Sequence, residues 1–224
     1  MNLTTIGSVQ IENLPNVLFV NASSRCHQYA LDFVAAAASL ATTHAVYRGD
    51  ASAGFLPQAM GLRLTHQGLN IDGSASGFNL TFYPHYMLHA LFCGSSRQER
   101  IPYVKHTAVS SLVGPSTGTL ADTFESIGQV MFLRYYEHHF QMAKTKFGPR
   151  SAQWPSVLQF AALIRDAMGH GGKLKLFSSE VVRHFNLSYS QADNGRRILH
   201  NDLTCADLFL LMLEIDCTLE PQTH

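Results

Sequence analysis

The sequence lacks the features that mark secreted, membrane-spanning and strongly basic nucleic-acid-binding proteins. Its four cysteines, at positions 26, 93, 205 and 217, are far apart and form no Cys-x-x-Cys pair, a usage typical of reduced thiols in a cytosolic protein. The longest apolar stretch, Phe33 to Ala41, is far shorter than a bilayer span. Sixteen basic residues balance sixteen acidic ones, so no overall positive field attracts nucleic acid. We therefore expect a cytoplasmic protein without membrane contact.

Several familiar catalytic and cofactor-binding motifs are also missing. The chain has no Walker A loop, no Gly-x-Gly-x-x-Gly after a strand, no Gly-x-Ser-x-Gly and no His-Glu-x-x-His. The stretch Gly169 to Lys173 has the composition of a phosphate loop, but it closes a predicted helix, so its amides do not point at an anion. The sequence thus predicts neither a cofactor nor a metal in the main candidate site.

The balanced charge is unevenly distributed. Between Arg134 and Arg183 there are eight basic residues against three acidic ones. Such a segment predicts either a cleft that faces phosphate groups or an ordinary solvated surface.

Helix-breaking Gly and Pro residues and the spacing of apolar residues divide the chain into predicted helices and a partly extended first half. The pattern predicts helices over about 24–47, 84–93, 120–146, 156–169 and 203–217. It predicts a buried strand at Val17–Val20, one or two short strands within 50–82, a loop over about 94–119 and a β-hairpin over 173–189. The fold class is therefore mainly α (α+β), in a single domain over 1–224. The first 115 residues are expected to cap the bundle formed by the helices of the second half or to shape its cleft.

The strongest local motif lies at the end of the helix predicted for 156–169. Arg165 and His170 are five positions apart, so on a continuing helix they would lie about 140° apart. A helix that ends at Gly169 removes this obstacle, because a turn at Gly171-Gly172 lets His170 swing back towards the helix axis.

This pair suits phosphodiester cleavage without a metal. Imidazole can take a proton from a ribose 2′-hydroxyl or give one to the leaving oxygen. A guanidinium can hold phosphate oxygens as charge builds up in the transition state. Asp166 is positioned to orient either partner by hydrogen bonding. We therefore expect catalytic roles for Arg165, Asp166 and His170.

The Arg-x4-His spacing alone is not specific, because it occurs twice. The second copy, Arg134 to His139, lies on the preceding helix. Arg134 and His138 are four apart and share a helix face. Either these residues widen the substrate cleft together with His139 and Lys173, or they belong to a solvated polar face.

A metal site is the competing hypothesis for a different segment. His85, His89 and Cys93 recur at four-residue steps on one predicted helix, and a His pair at this spacing can bind zinc. Three ligands rising along one helix span too far for a single ion, so ordinary histidines are the other interpretation.

The context of the first motif resembles the HEPN superfamily. The resemblance rests on IRDAMGHGG at 164–172, DNGRRI at 193–198 and DLTCADLFLLMLEID at 202–216, and it covers about 120–217. It implies an HEPN-like helical bundle, with helix 24–47 added, that forms a homodimer whose two Arg-x4-His motifs line one cleft. It also implies either a metal-independent RNase of toxin or phage-defence type, or an inactive module that binds nucleotide, RNA or a protein partner. An antitoxin or other regulator is a further partner that the resemblance suggests. Asp166 stands where the family commonly has Asn, which adds negative charge beside an anionic substrate.

Overall fold

The computed structural model describes residues 16–47, 62–65, 68–83, 100–107, 119–176, 181–199 and 201–220. Within these ranges the chain forms four helices, one five-stranded antiparallel sheet and one two-stranded sheet. The predicted mixed α+β class is therefore confirmed.

The four helices account for most of the regular structure. They are α1 (His27–Tyr47), α2 (Thr119–Phe147), α3 (Ser156–Gly169) and α4 (Cys205–Leu219). The predicted bounds of α2, α3 and α4 are confirmed to within two residues. Their ends carry clear signals, since Gly148 after α2 has a positive φ of 94° that ordinary residues rarely adopt.

The first half of the chain supplies the larger sheet. Its strands are β1 (Val17–Asn21), β2 (Leu62–Thr65), β3 (Gly68–Ile71), β4 (Phe78–Phe82) and β5 (Arg100–Thr107). They are arranged in the order β1-β5-β4-β3-β2, and all neighbours are antiparallel. The sheet is therefore more extensive than the one or two short strands predicted within 50–82.

Two predictions for this sheet are wrong in detail. The segment predicted as a loop over 94–119 contains β5, whose Pro102 stands opposite Phe19 of β1. The strand predicted as buried at Val17–Val20 is an edge strand, in which Val20 is buried while Leu18 is 44% exposed. An edge strand has a neighbour on one side only, so part of its surface meets solvent.

The core lies between the sheet and the helices, with α4 at its centre. Eleven residues of α4 are buried, as expected for a helix that is apolar nearly all round. Phe209 of α4 packs against Phe82 of β4 at 4.9 Å between ring centroids and against Tyr103 of β5 at 5.6 Å. On the other side α1 packs on α2, where the Phe33 and Phe124 rings are 5.5 Å apart.

The predicted hairpin over 173–189 is shorter than expected. Its strands are β6 (Val182–His184) and β7 (Leu187–Tyr189). The preceding segment, 173–176, instead runs beside 194–197. The turn predicted at Asn194-Gly195 is present, with φ of 82° at Gly195.

Two buried carboxylates join these layers. Asp207, with no exposed surface, forms a capping box with Thr204 at the start of α4. It also accepts the backbone N–H groups of residues 74, 75 and 76 at 3.0, 3.2 and 2.8 Å. Asp216 accepts the Cys26 N–H at 3.1 Å and the Tyr135 hydroxyl at 3.0 Å. Asp207 thus ties α4 to the 74–76 loop, and Asp216 ties α4 to the start of α1 and to α2.

Glu125 is a third carboxyl group that packs against the start of α4. The Cys205 thiol donates to Glu125 Oε2 at 3.2 Å, and burial raises the pKa of Glu125 from 4.5 to about 7. Close packing fixes this contact, because a Cβ on Gly128 would lie only 2.3 Å from Cys205 Sγ. Glu125 therefore changes protonation near neutral pH.

We expect Glu125 to make the protein less stable as the pH rises. Because its folded pKa of about 7 exceeds the reference value of 4.5, the folded state binds a proton that the unfolded chain releases between these values. Its stabilising contribution is complete below about pH 4.5 and is lost as the pH rises through about 7. Glu125→Gln should flatten the unfolding free energy over this window, measured by urea titration at several pH values. Glu220→Gln at the exposed end of α4 is the control, and a Glu125→Gln slope equal to the wild type would contradict the assignment.

Candidate functional site

The site begins where α3 ends. The carbonyl of Ala167 accepts the N–H of His170 at 3.0 Å and the N–H of Gly172 at 2.8 Å, which closes the helix. Gly171 and Gly172 have φ of 67° and 81°, so both adopt the left-handed conformation that glycine allows. The predicted helix stop at the glycine pair is confirmed.

The chain turn brings His170 back against α3. Its Nδ1 lies 2.7 Å from the backbone carbonyl oxygen of Asp166, and its side chain is exposed. A carbonyl oxygen can only accept, so Nδ1 carries the hydrogen. In the neutral ring the lone pair then lies on Nε2, the form that a general base requires.

Arg165 is held by two carboxylates. Its Nε donates to Glu137 Oε1 at 2.6 Å, and its Nη1 donates to Asp166 Oδ1 at 3.1 Å. The hydrogen bond from Arg165 to Glu137 and then the one to Asp166 raise the pKa of Arg165 above its ordinary value. The side chain remains 44% exposed, and three of its five N–H groups take no part in these two bonds.

Asp166 contacts both of the other predicted catalytic residues. Its carboxylate binds Arg165, and its backbone carbonyl binds the His170 ring. The buried Tyr136 lies close to Asp166 and Arg165, and its pKa is raised by burial and then by the Asp166 carboxylate. Arg165 and His170 therefore each bind Asp166 at the exposed end of α3, one through its carboxylate and the other through its backbone carbonyl.

Arg134, His138 and His139 make their contacts with the α1 side of α2. Tyr29 O–H and His138 Nδ1 are 2.8 Å apart, and Arg134 lies 3.9 Å from Asp32. His139 is half-buried, and burial, followed by the neighbouring His138, lowers its pKa. Glu137, on the same turn of α2, instead binds Arg165.

Lys173 is exposed and follows the glycine pair directly. It lies opposite Arg197 in an isolated antiparallel bridge. Glu137 and Arg197 are the site residues that the sequence did not identify. Glu137 lies inside the second Arg-x4-His stretch, but its pairing with Arg165 depends on how α2 packs against α3.

The competing zinc hypothesis concerns residues outside the described part of the chain. His85, His89 and Cys93 all fall within 84–99. Among the residues that are described, no group of three His, Cys, Asp or Glu side chains is arranged to hold a metal ion. No helix in the same set combines the length and apolar character needed to cross a bilayer.

Comparison of the chain with protein-family models, with curated proteins and with solved structures finds no match.

Proposed function

We propose that this protein is a metal-independent endoribonuclease in which His170 is the general base and Arg165 stabilises the phosphate. The observation that carries the proposal is the double role of Asp166. Its backbone carbonyl holds the His170 ring as the Nδ1–H tautomer, while its carboxylate binds the Arg165 guanidinium. Base and cation are thus positioned by one residue on one rigid helix end.

The reaction follows from these groups. His170 Nε2 takes the proton of a ribose 2′-hydroxyl, and the 2′-oxygen attacks the adjacent phosphorus. The bond from phosphorus to the 5′-oxygen breaks, and the products are a 2′,3′-cyclic phosphate and a 5′-hydroxyl end. The remaining N–H groups of Arg165 donate to the non-bridging oxygens as their charge grows.

The leaving 5′-oxygen needs a proton from a second acid. A homodimer, as the HEPN resemblance implies, would bring two copies of the motif to one cleft, one acting as base and the other, in its imidazolium form, as acid. The same resemblance is the basis for proposing an HEPN-like bundle, a toxin or phage-defence role in the cytoplasm, and an antitoxin or other regulator as partner.

His170→Ala should reduce RNA cleavage by at least about 100-fold, since it removes the general base. Purified protein is incubated with RNA in EDTA, and fragments are resolved on a gel and tested for cyclic phosphate ends. His106→Ala, an exposed histidine on β5, is the matched control and should cleave like the wild type. Equal cleavage by wild type and His170→Ala, or no cleavage by the wild type, would count against the proposal.

A second candidate function is favoured by the acidic partners of Arg165. Glu137 and Asp166 both occupy its guanidinium, so an incoming phosphate must compete with two carboxylates. In this alternative the protein is a non-catalytic dimeric module that binds nucleotide, RNA or a protein partner. Retained nucleotide or RNA affinity without turnover would select it over the nuclease.

A further inference from the structure

Two basic side chains lie directly opposite each other just beyond His170. Lys173 and Arg197 form an antiparallel bridge, and both are exposed. Two backbone hydrogen bonds flank the pair. The Leu174 N–H donates to the Arg196 carbonyl at 3.0 Å, and the Ile198 N–H donates to the Gly172 carbonyl at 2.9 Å. This is the non-hydrogen-bonded arrangement, with Cα atoms about 4.5 Å apart and both side chains on one face.

The charge of this pair is not compensated within the described part of the chain. No carboxylate there lies within ion-pair distance of Lys173 or Arg197, whereas the adjacent Arg196 binds Asp202 with two contacts of 2.8 Å and lies 3.8 Å from Asp193. Like charges placed directly opposite destabilise a strand pair. A bound anion between them would relieve this repulsion.

The pair lies next to the proposed catalytic histidine. A Cβ on Gly172 would be 3.7 Å from the Cγ and Nε atoms of Arg197, so the arginine side chain lies along the residue two positions after His170. A Cβ on Gly169 or Gly171 would meet nothing within 4 Å. The surface around His170 on this side is thus open among the described residues.

We propose that Lys173 and Arg197 form a phosphate-binding subsite that holds the backbone of single-stranded RNA beside His170. The choice of RNA as ligand rests on the proposed nuclease function. The guanidinium of Arg197 can donate to two phosphate oxygens, and the Lys173 ammonium adds a mobile point charge. The RNA would thus be held through a phosphate group that neighbours the phosphate cleaved at Arg165 and His170.

Binding of an oligonucleotide that cannot be cleaved tests the subsite apart from catalysis. The probe is a fluorescent single-stranded oligouridylate with every 2′-hydroxyl methylated, and binding is followed by anisotropy over a series of salt concentrations. Lys173→Ala and Arg197→Ala should each weaken binding by about fivefold to tenfold and lower the salt slope by about 0.7 for a lost phosphate contact. Arg150→Ala is the matched control, because this exposed arginine precedes the opposite end of α3.

Lys173→Glu separates binding from folding. It places opposite charges across the bridge, so we expect a higher melting temperature together with a larger loss of binding than for Lys173→Ala. Wild-type affinity in Lys173→Glu, or equal weakening by Arg150→Ala and Arg197→Ala, would overturn the subsite. Displacement by inorganic phosphate at the same concentration as by unlabelled oligonucleotide would overturn RNA as its ligand.

The outcomes distinguish the subsite from the nuclease itself. RNA cleavage by the wild type with unchanged binding in Lys173→Ala and Arg197→Ala overturns the subsite alone. Binding that depends on both residues, with no cleavage by the wild type, supports the subsite and overturns the nuclease alone.

Discussion

Replacing Asp207 with alanine is expected to lower the free energy of unfolding by about 4 kcal/mol, since a buried carboxylate with several hydrogen bonds is removed. The substitution leaves the N–H groups of residues 74–76 and of Thr204 without their acceptor. These donors belong to two separate elements, the loop before β4 and the start of α4. The measurement is equilibrium unfolding in urea, followed by circular dichroism.

The chain offers a matched control for this substitution. Asp193 forms the same capping box with Ser190 at the short 3-10 helix 191–193, but no bonds to a distant loop are described for it. Asp193→Ala should therefore cost much less than Asp207→Ala, because only a helix cap is lost. Asp207→Asn should fall between the two, because it keeps one acceptor oxygen. A loss for Asp207→Ala no larger than for Asp193→Ala would contradict the role of the 74–76 contacts.

Replacing Asp216 with alanine is expected to cost about 3 kcal/mol, because a buried, hydrogen-bonded carboxylate is lost. The Tyr135 hydroxyl would lose its acceptor in the interior of the protein. Burial, followed by the Asp216 carboxylate, raises the pKa of Tyr135 above its ordinary value, so this phenol remains a donor.

A double-mutant cycle with Tyr135→Phe measures this contact. Tyr135→Phe alone should cost about 1.5 kcal/mol, as a hydrogen bond to a charged group is lost. The double variant should be more stable than the sum of the two single effects predicts, since neither member then leaves the other unpaired. Strict additivity in urea unfolding would show that the two side chains do not interact.

The helices of the second half could be predicted because their signals are local. The apolar residues Val157, Phe160, Ala161 and Ile164 recur at steps of three and four, and all are buried in α3. Thr204 and Asp207 provide a capping box at the start of α4. The positions where these helices begin and end therefore depend mainly on the local sequence and little on tertiary packing.

The sequence does not predict β5, because this strand contradicts a local rule. Pro102 has no N–H to donate, and proline is normally confined to edge strands, yet β5 lies between β1 and β4. The strand forms because Pro102 pairs with Phe19 and Tyr103 pairs with Phe82. These contacts connect distant parts of the sequence. The sequence predicts a hairpin partner for the segment at Lys173 and is wrong for a similar reason, since the neighbour of Lys173 is Arg197, which lies beyond the hairpin.

The candidate site was predicted only as far as its contacts are local. Arg165, Asp166 and His170 lie within six consecutive positions, and the glycine pair indicated that the chain turns there. Glu137 and Arg197 come from α2 and from the segment before α4, so only tertiary packing places them near the motif. The basic residue at the centre of the motif, Arg165, therefore binds a carboxylate whose position the charge count could not predict.

The pairing of β1 with β5 also fixes the order in which the chain can fold during synthesis. β1 and α1 leave the ribosome long before Arg100–Thr107 is made. The partner of β1 does not yet exist at that time, so the backbone N–H and C=O groups of β1 remain hydrogen-bonded to water. Pairings across such sequence separations form slowly, because a long loop has to close first. The newly made first segment therefore keeps an unpaired strand, which other chains can contact, until β5 emerges.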